Sequence, residues 1–151
     1  MDISRSPQPS TPTGTFCLSY AIPAGTSPAA TAAVTSALTE LGKPYIFGAS
    51  GPAAYDCSGL MVAAWTAGGH ALSRTTYTQI YDGTPTTAAQ LAPGDLVLTP
   101  GSEGTLASPG HVGMFIGHGL VVEAPHTGDV VKVVTYTSLA SAGVSALRHI
   151  A

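Results

Sequence analysis

A thiol and an imidazole in this chain stand where covalent chemistry is usually built. Cys57 lies in Tyr55-Asp56-Cys57-Ser58-Gly59-Leu60, directly after a loop over 48–54 that contains Gly48, Gly51 and Pro52. Asp56 reads as an N-cap, Leu60, Met61, Ala64 and Trp65 recur at helical spacing, and Gly68-Gly69 closes the run. Cys57 is therefore expected in the first turn of a helix. There, unpaired backbone N–H groups and the positive end of the helix dipole favour the thiolate, the reactive form of cysteine. A buried cysteine acting as a small hydrophobe is the commoner fate of the residue, and this string alone leaves both readings standing. His111 tips the balance. It opens an apolar run, His111-Val112-Gly113-Met114-Phe115-Ile116-Gly117, behind a Pro109-Gly110 bend. An imidazole at a strand mouth that meets a thiol at a helix start can take the thiol proton and return it to a leaving amine.

An imidazole in that role needs a third group to fix its tautomer, and two candidates follow. The run after His118-Gly119, Leu120-Val121-Val122-Glu123-Ala124-Pro125-His126, reads as the second strand of a hairpin. With a plain two-residue turn Gly117 would face Leu120, and His111 would then face His126 rather than Glu123. Glu123 reaches the imidazole's face only if a one-residue bulge or a longer loop shifts the register, and Gly117 and Gly119 make room for one.

The elements that must position these residues fall in two groups. Ser27-Pro28 opens a first helix, expected to carry Val34, Leu38 and Leu41 on one face and to close at Gly42. Tyr45-Ile46-Phe47 is a short extended piece, and a short helix is expected over 76–81, after Ser73-Arg74. Strands are expected over 96–99, 111–117, 120–124, 130–136 and 146–150. Helices first and a strand meander afterwards imply an α+β domain, its N-terminal helices packed on a central antiparallel β-sheet.

Four strings, DCSGL at 56–60, SRTTYTQ at 73–79, PGDLV at 93–97 and HVGMFIGHGLVVEAP at 111–125, together resemble the ordered signatures of the NlpC/P60 cell-wall cysteine peptidases. The likeness runs from about Tyr45 to about Val134. It implies a reduced papain-like fold and cofactor-free hydrolysis of peptidoglycan stem peptides, commonly between D-γ-glutamyl and meso-diaminopimelyl (or lysyl) residues. It also implies Cys57 as nucleophile, His111 as general base and Glu123 as the orienting residue, with His126 the alternative. Tyr45, Asp56 and Ser58 would line the substrate groove. Asp56 is expected either to hold a free stem-peptide α-amine or to serve only as the helix cap. Arg74 would meet a substrate carboxylate or be a plain surface residue. The Cys57 N–H is the natural oxyanion donor. Asp95 is expected in a structural turn, and the 99–110 loop beside the groove. Two rivals stay open: a non-catalytic peptidoglycan-binding module, and a related amidase or acyltransferase.

Composition is compatible with one such domain. The chain has 151 residues, enough for a single core, and 1–14 reads as a flexible Pro/Ser/Thr-rich arm before a domain over 15–151. Only 9% of residues are charged, against about a quarter in ordinary domains, which suits an extracellular or cell-wall surface. A net charge of −3 without a Lys/Arg cluster argues against nucleic acid. No apolar run is long enough to span a membrane, and no signal-peptide core follows Met1. The chain therefore reads as processed, excised from a larger protein, delivered by another domain, or exported by another route. A disulfide between Cys17 and Cys57 would abolish the nucleophile, so Cys17 is expected to be a lone thiol. Five histidines without HExxH or paired cysteines do not make a metal site.

Overall fold

Helix α1 spans Pro28–Thr39, and its start follows from its sequence: Ser27 Oγ accepts the Ala30 N–H at 3.1 Å and proline occupies the first helical position. Glu40 caps its other end. Leu41, expected on the apolar face, lies beyond that cap and is exposed, because the chain turns through Gly42 (φ 87°), whose N–H bonds to the Val131 carbonyl. Ala30, Ala33, Val34 and Ala37 form the buried face instead. The computed structural model describes residues 20–102 and 104–151, so the expected arm over 1–14 and Cys17 lie outside the described residues.

Helix α2, Cys57–Ala67, is the central element of the core. Leu60, Met61, Ala64 and Trp65 are buried at their predicted spacing, and Gly68 with Gly69 (φ 87°) ends the helix. The small residues of α1 let the two helices approach closely: a Cβ at Gly68 would lie 2.8 Å from the Ala29 carbonyl oxygen. Trp65 Nε1 donates to the Gly94 carbonyl at 3.0 Å, so the large indole is both packed and satisfied. A one-turn helix α3 (Thr76–Gln79) follows.

The sheet contains β1 (Thr84–Pro85), β2 (Leu96–Thr99), β3 (His111–Gly117), β4 (Leu120–Glu123), β5 (Lys132–Thr135) and β6 (Ala146–His149). Their spatial order is β1-β6-β2-β3-β4-β5, and every pairing is antiparallel. Leu96 and Leu98 with Val112, Met114 and Ile116 share the core with α2. The opposite face is also covered. The strand expected over 130–136 ends in Val133, Val134, Thr135 and Tyr136, all strand-favouring, but Thr135 Oγ1 accepts the Ser138 N–H and starts helix α4, Tyr136–Ala140. Its Leu139 approaches Gly113, and Tyr136 meets Phe115 edge to face at 6.4 Å. Asp95, in the turn before β2, is buried and accepts from the Ala92 N–H and from His149 Nδ1 at 2.7 Å.

The 48–55 loop folds back over the start of α2, where the Asp56 N–H bonds to the Ala49 carbonyl at 2.8 Å. A Cβ at Gly59 would collide with that carbonyl oxygen and lie 2.8 Å from Asp56 Oδ1. Glycine to alanine inside a helix ordinarily stabilises by up to about 1 kcal/mol. Here the clash reverses the sign, and Gly59→Ala is predicted to cost about 2 kcal/mol, read as a lowered urea midpoint. A raised midpoint would show that the loop does not press on the helix.

Candidate active site

Cys57, His111 and Glu123 line one cleft of about 790 Å³, with Tyr45, Asp56, Ser58 and Arg74 among its other walls. Cys57 is the first residue of α2 and the only free cysteine among the described residues. Asp56 sits at the cap as expected: Oδ1 accepts the Gly59 N–H at 2.7 Å. His111 opens β3, and the glycine-rich loop before it presses against its base, since a Cβ at Gly101 would lie 2.8 Å from the His111 Cβ. The loop is held by Pro100, whose carbonyl accepts the Gly104 and Gly110 N–H groups, both at 3.0 Å.

The β3–β4 register resolves the parity question. His118 (φ 55°) and Gly119 (φ 71°) form a two-residue turn with Gly117 opposite Leu120. Between Gly117 and Phe115 the register shifts by one residue, so Phe115 pairs with Val121 and Met114 with Val122. That shift places Glu123 on the face of His111, with Glu123 Oε1 2.7 Å from His111 Nε2. The bulge is braced from outside. Tyr20 Oη donates to the Ile116 carbonyl, and Pro23 packs on Gly117 (φ 98°), where a side chain would not fit. His126 lines the cleft too, but it is exposed, and its ring faces the Thr127 carbonyl (3.0 Å) and Asp129 (3.6 Å) rather than His111.

His111 is buried, which alone would push its pKa down. Hydrogen bonds to Cys57 and Glu123, and the negative charge of both, outweigh burial and raise it to about 9. With Nε2 engaged by Glu123, the nitrogen left for the thiol is Nδ1. The ring thus joins a sulfur on one side to a carboxylate on the other. In this arrangement imidazolium is the favoured state of His111 at neutral pH.

Asp56 does more than cap α2, because Arg74 pairs with it. Arg74 Nη1 and Nη2 each lie 3.1 Å from one Asp56 oxygen, a two-pronged ion pair. The same carboxylate accepts the Gly48 and Gly59 N–H groups, at 2.8 and 2.7 Å, and faces the Ser58 hydroxyl at 3.4 Å. A carboxylate offers about four lone-pair sites, so these donors together fill Asp56. Arg74 also donates to Ser58 Oγ (2.9 Å) and to the Ala49 carbonyl (3.4 Å) while lining the cleft. Tyr45 is held through its backbone N–H to Asp129 and a parallel bridge to Tyr55.

Gln79, the last residue of the SRTTYTQ string, was given no role by sequence. It is fully buried, and its Nε2 donates to the Ser58 and Ser73 carbonyls at 3.2 and 2.9 Å, joining the Arg74 loop to α2. Phe47 and Tyr77 also line the cleft and were missed as site residues. Exposed aromatic side chains carry no periodic signal, so only the folded groove reveals them.

A family model described as "NlpC/P60 family" matches residues 42–146. A probable endopeptidase of Mycobacterium tuberculosis is 37% identical over 127 residues, covering 84% of this chain but 31% of that protein, so the chain spans about a third of such a relative's length. Among solved structures, NlpC1 of Trichomonas vaginalis superposes with a TM-score of 0.72 at 34% identity, over 78% of this chain and 42% of that one. The NlpC/p60 domain of the peptidoglycan hydrolase SagA superposes with a TM-score of 0.70 at 27% identity, over 80% of this chain and 98% of that one. With four ordered motifs, a helix-start cysteine and a bulged His–Glu hairpin on one α+β scaffold, this chain belongs to the NlpC/P60 family.

Proposed function

We propose that this chain is a peptidoglycan hydrolase, a cysteine endopeptidase that cuts stem peptides at the D-γ-glutamyl–meso-diaminopimelyl (or lysyl) bond and acts at the cell wall. The observation that carries the reading is the shared cleft: Cys57 and His111 line it together, and His111 Nε2 lies 2.7 Å from Glu123 Oε1. The likeness to the domain of SagA, a peptidoglycan hydrolase, supports the substrate class. A non-catalytic binding module has no use for such a linked thiol, imidazole and carboxylate.

In this mechanism the Cys57 thiolate attacks the γ-carbonyl carbon of the glutamyl residue. The oxyanion that forms is met by the Cys57 N–H, one of the donors at a helix start that have no intrahelical partner. The His111 imidazolium gives its proton to the departing amine of the diamino acid, the C–N bond breaks, and a thioester remains on Cys57. Neutral His111 then takes a proton from water, the hydroxide attacks the thioester, and the γ-carboxyl leaves as the thiol is restored. Glu123 acts through His111 as a positioning residue: it fixes the ring tautomer and stabilises the positive ring.

Mass spectrometry of purified sacculi incubated with the protein is predicted to show stems cut between the second and third residues, with no cutting by Cys57→Ala and none of casein. Product from Cys57→Ala would sink the mechanism, and casein cleavage the substrate class.

Because His111 keeps its proton up to about pH 9, kcat/KM is predicted to fall on the alkaline side near that pH, as the acid needed by the leaving amine is lost. Glu123 contributes to raising that pKa, so Glu123→Gln is predicted to move the alkaline limb toward neutrality. Glu123→Ala should lower kcat by roughly a hundredfold with little change in KM, and His126→Ala far less. A limb that stays in place in Glu123→Gln would remove Glu123 from this role.

A thiol that His111 serves should also stand apart from Cys17 as a nucleophile. Iodoacetamide at about pH 6 is predicted to modify Cys57 well before Cys17 and to lose that preference in His111→Ala, since an ordinary thiol of pKa ~8.5 is protonated there. Equal, slow rates for both cysteines would contradict the pairing.

A further inference from the structure

Two aromatic side chains in the cleft wall are exposed. Phe47 is 85% exposed and Tyr77 is 49% exposed, yet both line the same cleft as Cys57. They arrive from different elements and line the same cleft. Phe47 precedes Gly48, whose N–H bonds to Asp56, and Tyr77 lies on α3 three residues after Arg74, which forks onto the same Asp56. Both therefore share the cleft wall with the Asp56–Arg74 pair, whose Asp56 immediately precedes the nucleophile.

A stem peptide gives these rings little to bury. In L-Ala-γ-D-Glu-diaminopimelate the side chains are a methyl group, charged or amide-linked carboxyls and one methylene stem. Exposed aromatic faces at the rim of a cleft are a surface for a flat, carbon-rich partner. The flat CH faces available in peptidoglycan belong to its sugars, which are joined through a lactyl amide to the amine of the first stem residue. The charges at this place point the same way. Asp56 is filled by Gly48, Gly59, Ser58 and Arg74, so it offers no open acceptor to a free ammonium group, while an acylated amine brings no charge to be neutralised.

The geometry points to a saccharide-binding platform at Phe47 and Tyr77, one that takes a sugar ring of glycan still attached to the stem peptide. This rests on the peptidoglycan reading above and makes it narrower: the preferred substrate is a glycan-linked stem, not a free-amine fragment released by earlier digestion. An enzyme of this kind would act ahead of the amidases and recycling peptidases that work on detached stems.

Two probes test it, disaccharide-L-Ala-γ-D-Glu-diaminopimelate and the same tripeptide with a free amine. Affinities are measured by calorimetry on Cys57→Ala, and turnover on the unmodified chain. The glycan-linked probe is expected to bind about tenfold or more tightly than the free tripeptide, and the double substitution F47A/Y77A to remove most of that difference by raising KM for the linked probe rather than lowering kcat. Both side chains are exposed, and the thermal midpoint of the double variant checks that it remains folded. Equal or tighter binding of the free-amine tripeptide, or a preference that survives F47A/Y77A, would overturn the platform. A linked-stem preference in binding with no turnover of either probe would instead overturn the hydrolase reading and leave the platform standing.

Discussion

The carboxylate of Asp56 is the interaction on which the site depends. It accepts the Gly59 N–H inside α2, the Gly48 N–H from the loop before the helix and both guanidinium nitrogens of Arg74 from the loop after it. Three stretches of chain are thereby fixed to one group that immediately precedes Cys57. A buried carboxylate is costly unless its lone pairs are met, and here two of the donors, Gly48 and Arg74, are also walls of the cleft. Gln79 secures the same arrangement from below by holding the carbonyls of Ser58 and Ser73. Cap, groove wall and nucleophile placement are thus one network rather than three separate features.

The helix that carries Cys57 is held at its other end by packing. Leu60, Met61, Ala64 and Trp65 are buried against α1 and the sheet, and the Trp65 indole is bonded to Gly94 in the turn before β2. β2 in turn pairs with β3, whose first residue is His111. The thiol and the imidazole therefore reach each other through a rigid path of core side chains and sheet hydrogen bonds. Neither is placed by a loose loop, which keeps their geometry within the small tolerance that proton transfer requires.

Much of this was legible in the sequence, and for physical reasons. Caps, glycine stops and apolar spacing are local, so Ser27, Asp56 and Gly68-Gly69 marked the helices, and β2, β3 and the start of β4 were found at their observed bounds. Long-range choices were less visible. The string 132–136 has strand chemistry throughout, and only the Thr135 cap turns it into α4. Leu41 fits the helical period of α1 but falls past the point where the Gly42–Val131 bond pulls the chain away. Arg74 and Asp56 each suggested a substrate contact when taken alone; that they choose each other depends on a fold bringing residues 18 positions apart together. The contributions of Gln79, Phe47 and Tyr77 were hidden for the same reason.

The bulged turn also limits how this protein can vary in length. Side chains alternate along a strand, so the face that Glu123 presents is a matter of odd or even count between it and His111. A change of two residues in the His118-Gly119 turn leaves the carboxylate facing the imidazole. A change of one turns it to the far side of the sheet unless the bulge at Ile116 is gained or lost in compensation. Relatives that place their third residue differently should therefore differ in hairpin length by even steps, or trade a bulge for each odd one.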